Sequence, residues 1–107
     1  MGFFDFLRGP GMDQGIKEYG ETRGAVLLDV RTPQEYRAGH VPGSKNVPLQ
    51  EIDRVGEAVG GKDTPLFVYC RSGARSRQAV GALRRMGYLN VKNIGGMAAY
   101  TGKVESV

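Results

Sequence analysis

Leu66, Phe67, Val68 and Tyr69 form a continuous apolar and aromatic run, which fits a strand buried on both faces of a parallel sheet. Beyond Ser76 the period changes: Ala79, Val80, Leu83 and Met86 recur at helical spacing, and Gly87 is placed to stop a helix. Between the two lies only Cys70-Arg71-Ser72-Gly73-Ala74-Arg75-Ser76, a tight loop. A strand that passes through a short loop into a helix is half of a parallel crossover unit, so this stretch directs the chain toward an α/β architecture.

The same stretch has chemical consequences. A loop entering a helix aims several unpaired backbone N–H groups at one spot, and the helix dipole adds partial positive charge there, so the loop is an anion nest. Cys70, the single cysteine of the chain, stands at its start. A helix N-terminus and nearby cations lower a thiol pKa from about 8.5 to between roughly 3.5 and 7.5. Arg71 and Arg75 supply the cations, so Cys70 is expected at the mouth of the loop as a thiolate at neutral pH. A lone free cysteine is more often a buried structural residue, but polar, cationic and glycine-containing neighbours do not suit an apolar pocket.

Cys70-Arg71-Ser72-Gly73-Ala74-Arg75-Ser76 resembles the active-site loop of the rhodanese-like family of sulfurtransferases, C-R-x-G-x-[RT]-S, at every fixed position. Three flanking stretches resemble the family as well: Asp29-Val30-Arg31 with Glu35-Tyr36, the run from Gly39-His40-Val41-Pro42-Gly43 to Pro48, and Gly95-Gly96-Met97. Tyr100 departs from the family, which often has tryptophan there. The resemblance covers roughly residues 13–100. It implies a mainly parallel, roughly five-stranded sheet with helices on both faces and the loop at one sheet edge of the cleft.

The resemblance further implies thiosulfate sulfurtransferase chemistry, with Cys70 as catalytic nucleophile and Arg71, Ser72, Gly73, Ala74, Arg75 and Ser76 binding the substrate. The expected substrates are a small anionic sulfur donor and a thiol or cyanide acceptor, or a partner protein as acceptor. No cofactor is expected. A sulfur-relay or binding module docked to a partner enzyme is the alternative. Tyrosine phosphatases and arsenate reductases use similar parts but place five residues between cysteine and arginine, where four separate Cys70 from Arg75. A shorter loop makes a narrower nest, better sized for one sulfur than for a tetrahedral oxyanion. A phosphatase also needs an acid for its leaving group, and intramolecular arsenate reduction needs a second cysteine.

The chain of 107 residues is one domain by size. One cysteine excludes an internal disulfide, and with His40 the only histidine a zinc site is implausible. The net charge of +4 could suggest nucleic acid, yet Arg71, Arg75, Arg77, Arg84 and Arg85 gather around the proposed loop, and a small anionic substrate accounts for that bias. No nucleic-acid-binding motif is visible.

Residues 1–12 are read as an apolar extension, 13–101 as the domain, and 102–107 as a polar tail expected to fray. The extension contains Phe3, Phe4 and Phe6 but lacks the pattern of a signal peptide, a membrane span or a myristoylation site. A flap packed on the domain, or on a second copy, is expected of it rather than a membrane foot or docking arm, and a cytoplasmic location of the protein.

Asp13 is expected to cap a first helix carrying Ile16 and Tyr19 and ending at Gly20. A second buried strand follows at residues 25–30. Thr32-Pro33-Gln34-Glu35 reads as a capping box with proline at the first helical position. Residues 46–48 read as a brief strand, Ile52, Val55 and Val59 as a helix face, residues 91–94 as a last strand, and 97–100 as a short final helix. Asp29 and Arg31 fall at a strand's carboxyl end, where ligands bind in open parallel sheets. They are candidate supporting residues, although a plain salt bridge or turn cap is the reading favoured for them. His40 is expected to bond backbone in its turn rather than to act as a general base.

Overall fold

A computed structural model describes residues 11–107, and the phenylalanine-rich start lies outside them. The described chain runs α1 (Met12–Glu21), β1 (Val26–Asp29), α2 (Pro33–Ala38), β2 (Lys45–Asn46), a 3-10 segment (Leu49–Glu57), β3 (Leu66–Cys70), α3 (Ala74–Arg85), β4 (Val91–Gly96) and a 3-10 turn (Met97–Ala99). The strands form one sheet in the order β2-β1-β3-β4, every pair parallel. All five residues of β3 are buried, as the uninterrupted apolar run requires of an interior parallel strand.

Strand alternation divides the core into two layers. Leu28, Leu66, Val68 and Cys70 face α3 and the 3-10 segment, where Val55, Ala79, Val80, Leu83 and Tyr88 close over them. Leu27, Phe67, Tyr69 and Ile94 face the opposite way, onto Met12, Ile16 and Tyr19 of α1 and onto Met97 and Tyr100. Helices therefore cover both faces, and the site loop leaves the sheet from a strand flanked on each side by a neighbour.

Four expectations are corrected. The sheet among the described residues has four strands, not five. The further extended pairing is a single antiparallel bridge, His40 with Glu105, and Pro42 and Gly43 turn the chain away before it can lengthen. That bridge also overturns the frayed tail: His40 and Glu105 exchange backbone hydrogen bonds of 2.8 and 2.9 Å, and the Val107 N–H donates to the Arg37 carbonyl.

Asp13 is not the cap of α1. The helix begins one residue earlier, after Gly11, and the Asp13 carboxylate accepts from the Thr101 N–H at 2.9 Å and the Thr101 hydroxyl at 2.6 Å. Its charge still suits the helix N-terminus. The stretch around Ile52 winds as a 3-10 helix with a break at Glu51. It has no side-chain cap, and Gly56 weakens any α-helical preference.

The approach of α1 to β4 rests on a missing side chain. A Cβ at Gly15 would collide with Cβ and Cγ2 of Ile94. Neither can step aside, since one sits on a helix backbone and the other on a strand. Gly15→Ala should therefore destabilise the fold by about 1–3 kcal/mol of overpacking, against a helix-propensity gain of about 0.5–1 kcal/mol. A lower midpoint in urea denaturation is the expected result, and a raised midpoint would mean that α1 does not lie this close.

Candidate active site

β3 ends at Cys70 and α3 starts at Ala74, so three residues carry the chain from sheet to helix. Turning so sharply requires a left-handed residue, and Gly73, the N-cap of α3, has φ 101° and ψ −11°. The loop lies directly on the end of β4. A side chain at Gly96 would run into the Arg71 carbonyl and the Ser72 N–H, and the Arg71 carbonyl accepts from the Ala98 N–H at 3.0 Å. Gly96 is thus a floor that the loop can touch.

The sulfur is the point on which the loop converges. The Gly73 N–H donates to Cys70 Sγ at 3.0 Å and the Ser76 N–H at 3.4 Å, while the Ser76 hydroxyl stands 3.5 Å away. Burial pushes the thiol up. The Ser76 hydroxyl and the N–H groups of Ser76, Gly73 and Ser72 pull it down by more, and the net result lies below the ordinary thiol value. The lowering comes from hydrogen bonds donated by the loop and the first turn of α3.

One expectation fails here. Cys70 is 1% exposed and lies on the floor of the loop instead of at its mouth. Arg71, Ser72 and Ala74 form the exposed crest above it.

The two loop arginines differ. Arg71 is exposed. Arg75 grips Glu35 of α2 with two hydrogen bonds, Nη1 to Oε1 at 2.7 Å and Nη2 to Oε2 at 3.0 Å. The Arg75 guanidinium holds the Glu35 carboxyl down to about 2, with burial opposing and the Thr32 N–H helping. Glu35 is also the N3 residue of the α2 capping box, bonded to the Thr32 N–H at 3.1 Å. One carboxylate therefore caps α2 and fixes the guanidinium of the sulfur loop, a role the capping box alone does not announce.

Asp29 and Arg31 turn toward each other. Asp29 is wholly buried and takes Arg31 Nη2 at 2.7 Å, Arg31 Nε at 3.0 Å and the Arg31 N–H at 2.9 Å. Arg31 Nη2 also donates to the Gly39 carbonyl at 2.6 Å, which ties the end of α2 to the sheet. The pair braces the element that presents Glu35. His40 Nδ1 bonds the Tyr36 carbonyl at 2.7 Å and its ring stacks on Tyr36 at 3.8 Å, so the imidazole is committed to the turn.

Asn93 was not among the sequence candidates. Its amide oxygen accepts from the Gly95 N–H at 2.9 Å and from the Ser76 hydroxyl at 2.7 Å, and its amide nitrogen donates to the Gly73 carbonyl at 3.2 Å. Asn93 lies opposite Val68 and hence on the Cys70 side of the sheet, a register that nothing along the chain announces.

A cradle of main-chain N–H groups around one lowered thiol can hold a thiolate, or an anion one atom further out. The rhodanese-like domain model matches residues 13–103. The chain is 44% identical over 71 residues to the thiosulfate sulfurtransferase PspE of Escherichia coli, covering 65% of this chain and 68% of that protein. It is 40% identical to a sulfurtransferase of Allochromatium vinosum, covering 75% of each. Among solved structures it superposes on a rhodanese with anions from E. coli with TM-score 0.72 and 37% identity, over 78% of this chain and 99% of that one. With the sheet, the loop and the flanking motifs in agreement, the chain belongs to the rhodanese-like domain family.

Proposed function

We propose that the protein is a sulfurtransferase that moves a sulfane sulfur through a persulfide on Cys70. The relatives named as sulfurtransferases support transferase chemistry in general. The observation that carries the finer reading is the convergence of N–H groups on one sulfur that sits below its ordinary pKa.

In the first half-reaction the Cys70 thiolate attacks the outer sulfur of thiosulfate. A bond forms between the two sulfurs, the sulfur–sulfur bond of the donor breaks, and sulfite leaves with the electron pair. Sulfite is stable as an anion, so no general acid is required. The persulfide keeps one negative charge, now on the outer sulfur, and the N–H groups of residues 71–76 hold it as an oxyanion hole holds oxygen. In the second half-reaction cyanide or a thiolate takes that outer sulfur and the Cys70 thiolate returns. Two half-reactions through one covalent intermediate give ping-pong kinetics.

Arg71, exposed on the crest, receives the sulfonate end of the donor. Arg75, paired with Glu35, holds the loop in position rather than meeting the sulfur charge itself. Because the thiol is 1% exposed, the Arg71, Ser72 and Ala74 crest yields to admit the donor. With a single cysteine in the chain the acceptor comes from outside. A cytoplasmic setting, where low-molecular-weight thiols are abundant, fits that requirement.

Incubation with thiosulfate should add one sulfur atom to the intact mass, and cyanide should remove it. Cys70→Ser should show neither the adduct nor turnover. An absent adduct in the wild-type protein, together with hydrolysis of an aryl phosphate, would replace this reading with a phosphatase.

Arg75→Ala should cut turnover by about tenfold, the scale of one lost charge-assisted hydrogen-bond pair. It should also change the acid stability profile. The Glu35 carboxyl has a depressed folded pKa, so the pair stabilises the fold above the ordinary glutamate pKa of about 4.3. That contribution is lost as pH falls through about 2. Wild-type melting temperature should therefore drop across this acid window more steeply than that of Arg75→Ala. Parallel profiles would show that Glu35 does not depend on Arg75.

A further inference from the structure

We infer that Asn93 is a positioning residue for the sulfur site, acting on Cys70 through Gly73 and Ser76. The inference rests on Cys70 being the reactive group of the proposed function, but not on the identity of the sulfur donor.

The argument begins with the strand. β4 pairs with β3 in regular register up to Val68 and Asn93, then slips by one residue so that Tyr69 faces Gly95 and Cys70 faces Gly96. Such a bulge re-aims neighbouring groups. Here it brings the Asn93 side chain and the Gly95 backbone together beneath the loop. The Gly95 N–H donates to Asn93 Oδ1, which fixes which end of the amide is oxygen. Its amide nitrogen is then left to face the Gly73 carbonyl, at 3.2 Å.

Both loop residues that Asn93 holds also touch the sulfur. Gly73 donates its N–H to Sγ from the peptide unit before the carbonyl that Asn93 grips. Ser76 donates its N–H to Sγ, and its hydroxyl lies 3.5 Å from Sγ while reaching Asn93 Oδ1 at 2.7 Å. A serine hydroxyl carries one proton and two lone pairs. With that proton on Asn93, a lone pair faces sulfur and suits the protonated thiol. When the thiolate forms, the same hydroxyl turns its proton to sulfur, and Asn93 keeps the Gly95 N–H as partner. Asn93 thus anchors the loop in both protonation states, bonding from β4 the same two residues that the Cys70 thiol bonds from β3.

Removing the amide frees the Gly73 carbonyl from the strand and loosens the aim of two N–H groups at sulfur. With fewer N–H groups held in line with sulfur, the thiolate is disfavoured. A near-isosteric aspartate keeps the two acceptor contacts but loses the donor to Gly73 and adds a negative charge beside sulfur, which disfavours the thiolate further.

The test is the pH dependence of iodoacetamide alkylation of the resting protein, which requires no sulfur donor and no turnover. The alkylation midpoint should rise by about one pH unit in Asn93→Ala, a tenfold shift in the thiolate ratio, and further in Asn93→Asp. The limiting rate above the midpoint should be unchanged. Circular dichroism identifies any variant that fails to fold, and the near-isosteric Asn93→Asp then carries the measurement. A folded variant that melts at lower temperature but alkylates with the wild-type midpoint would overturn the inference, because a merely structural asparagine lowers stability without moving the thiol. Failure of persulfide formation with thiosulfate would leave this result standing, so the two readings are separable.

Discussion

The structure depends on one constraint: a buried sulfur must be surrounded by hydrogen-bond donors without a side chain intruding. Taking a thiolate out of water is costly unless its charge is met by donors already in place. The first turn of α3 supplies them, since a helix start has N–H groups with no partner of their own. For those groups to face back on the residue that ends β3, the chain must reverse within three residues, which forces Gly73 into the left-handed region. The loop must then lie directly on the backbone at the end of β4, which excludes any side chain at Gly96. Helix, left-handed glycine and glycine floor are consequences of the same requirement.

The rest of the fold supplies rigidity to this arrangement. β3 is hydrogen-bonded on both sides, so its carboxyl end is fixed by two neighbours. Tyr69, wholly buried beside Cys70, donates its hydroxyl to Ser44 Oγ at 3.2 Å and accepts from the Val41 N–H at 3.1 Å. It thereby joins the strand to the turn after α2. Asp29 and Arg31 brace that same turn, and Glu35 at the start of α2 reaches over to Arg75. A path of short polar contacts thus runs from the sheet through α2 to the loop. It explains why charged residues tolerate burial here: each is paired and hydrogen-bonded, and among the described residues no buried side-chain donor or acceptor lacks a partner.

The sequence made the local elements of the site legible because each carries a strong period or a strong punctuation mark. The run at Leu66 to Tyr69, the spacing of Ala79, Val80 and Leu83, and the capping box at Thr32 all appear where they were expected. What it left obscure depends on tertiary approach. Whether Cys70 stands at the mouth or on the floor of its loop depends on how closely Gly96 comes to Arg71, which no spacing along the chain encodes. The partner of Arg75 lies forty residues away on another element. Asn93 occupies a strand position that its neighbours make look like ordinary sheet, and its purpose follows from a register slip that only the pairing reveals. The tail misled for the same reason: a polar composition suggests fraying, whereas backbone bonds to His40 and Arg37 hold it.

The division of labour between backbone and guanidinium bears on how one loop can serve both half-reactions. Arg75 is neutralised by a carboxylate that remains ionised down to about pH 2, so at neutral pH it behaves as a fixed strut with its charge largely balanced. The stabilisation of the sulfur anion then falls on hydrogen-bond donors. A guanidinium bonded directly to Sγ would have to move or be replaced when the charge shifts outward by one atom. Several N–H groups that already converge on Sγ from a short loop would need only to re-aim by a small angle in the proposed reaction. Under the proposed reaction, a site of this kind would hold the thiolate and the persulfide with the same donors, and neither state would have to be built at the expense of the other.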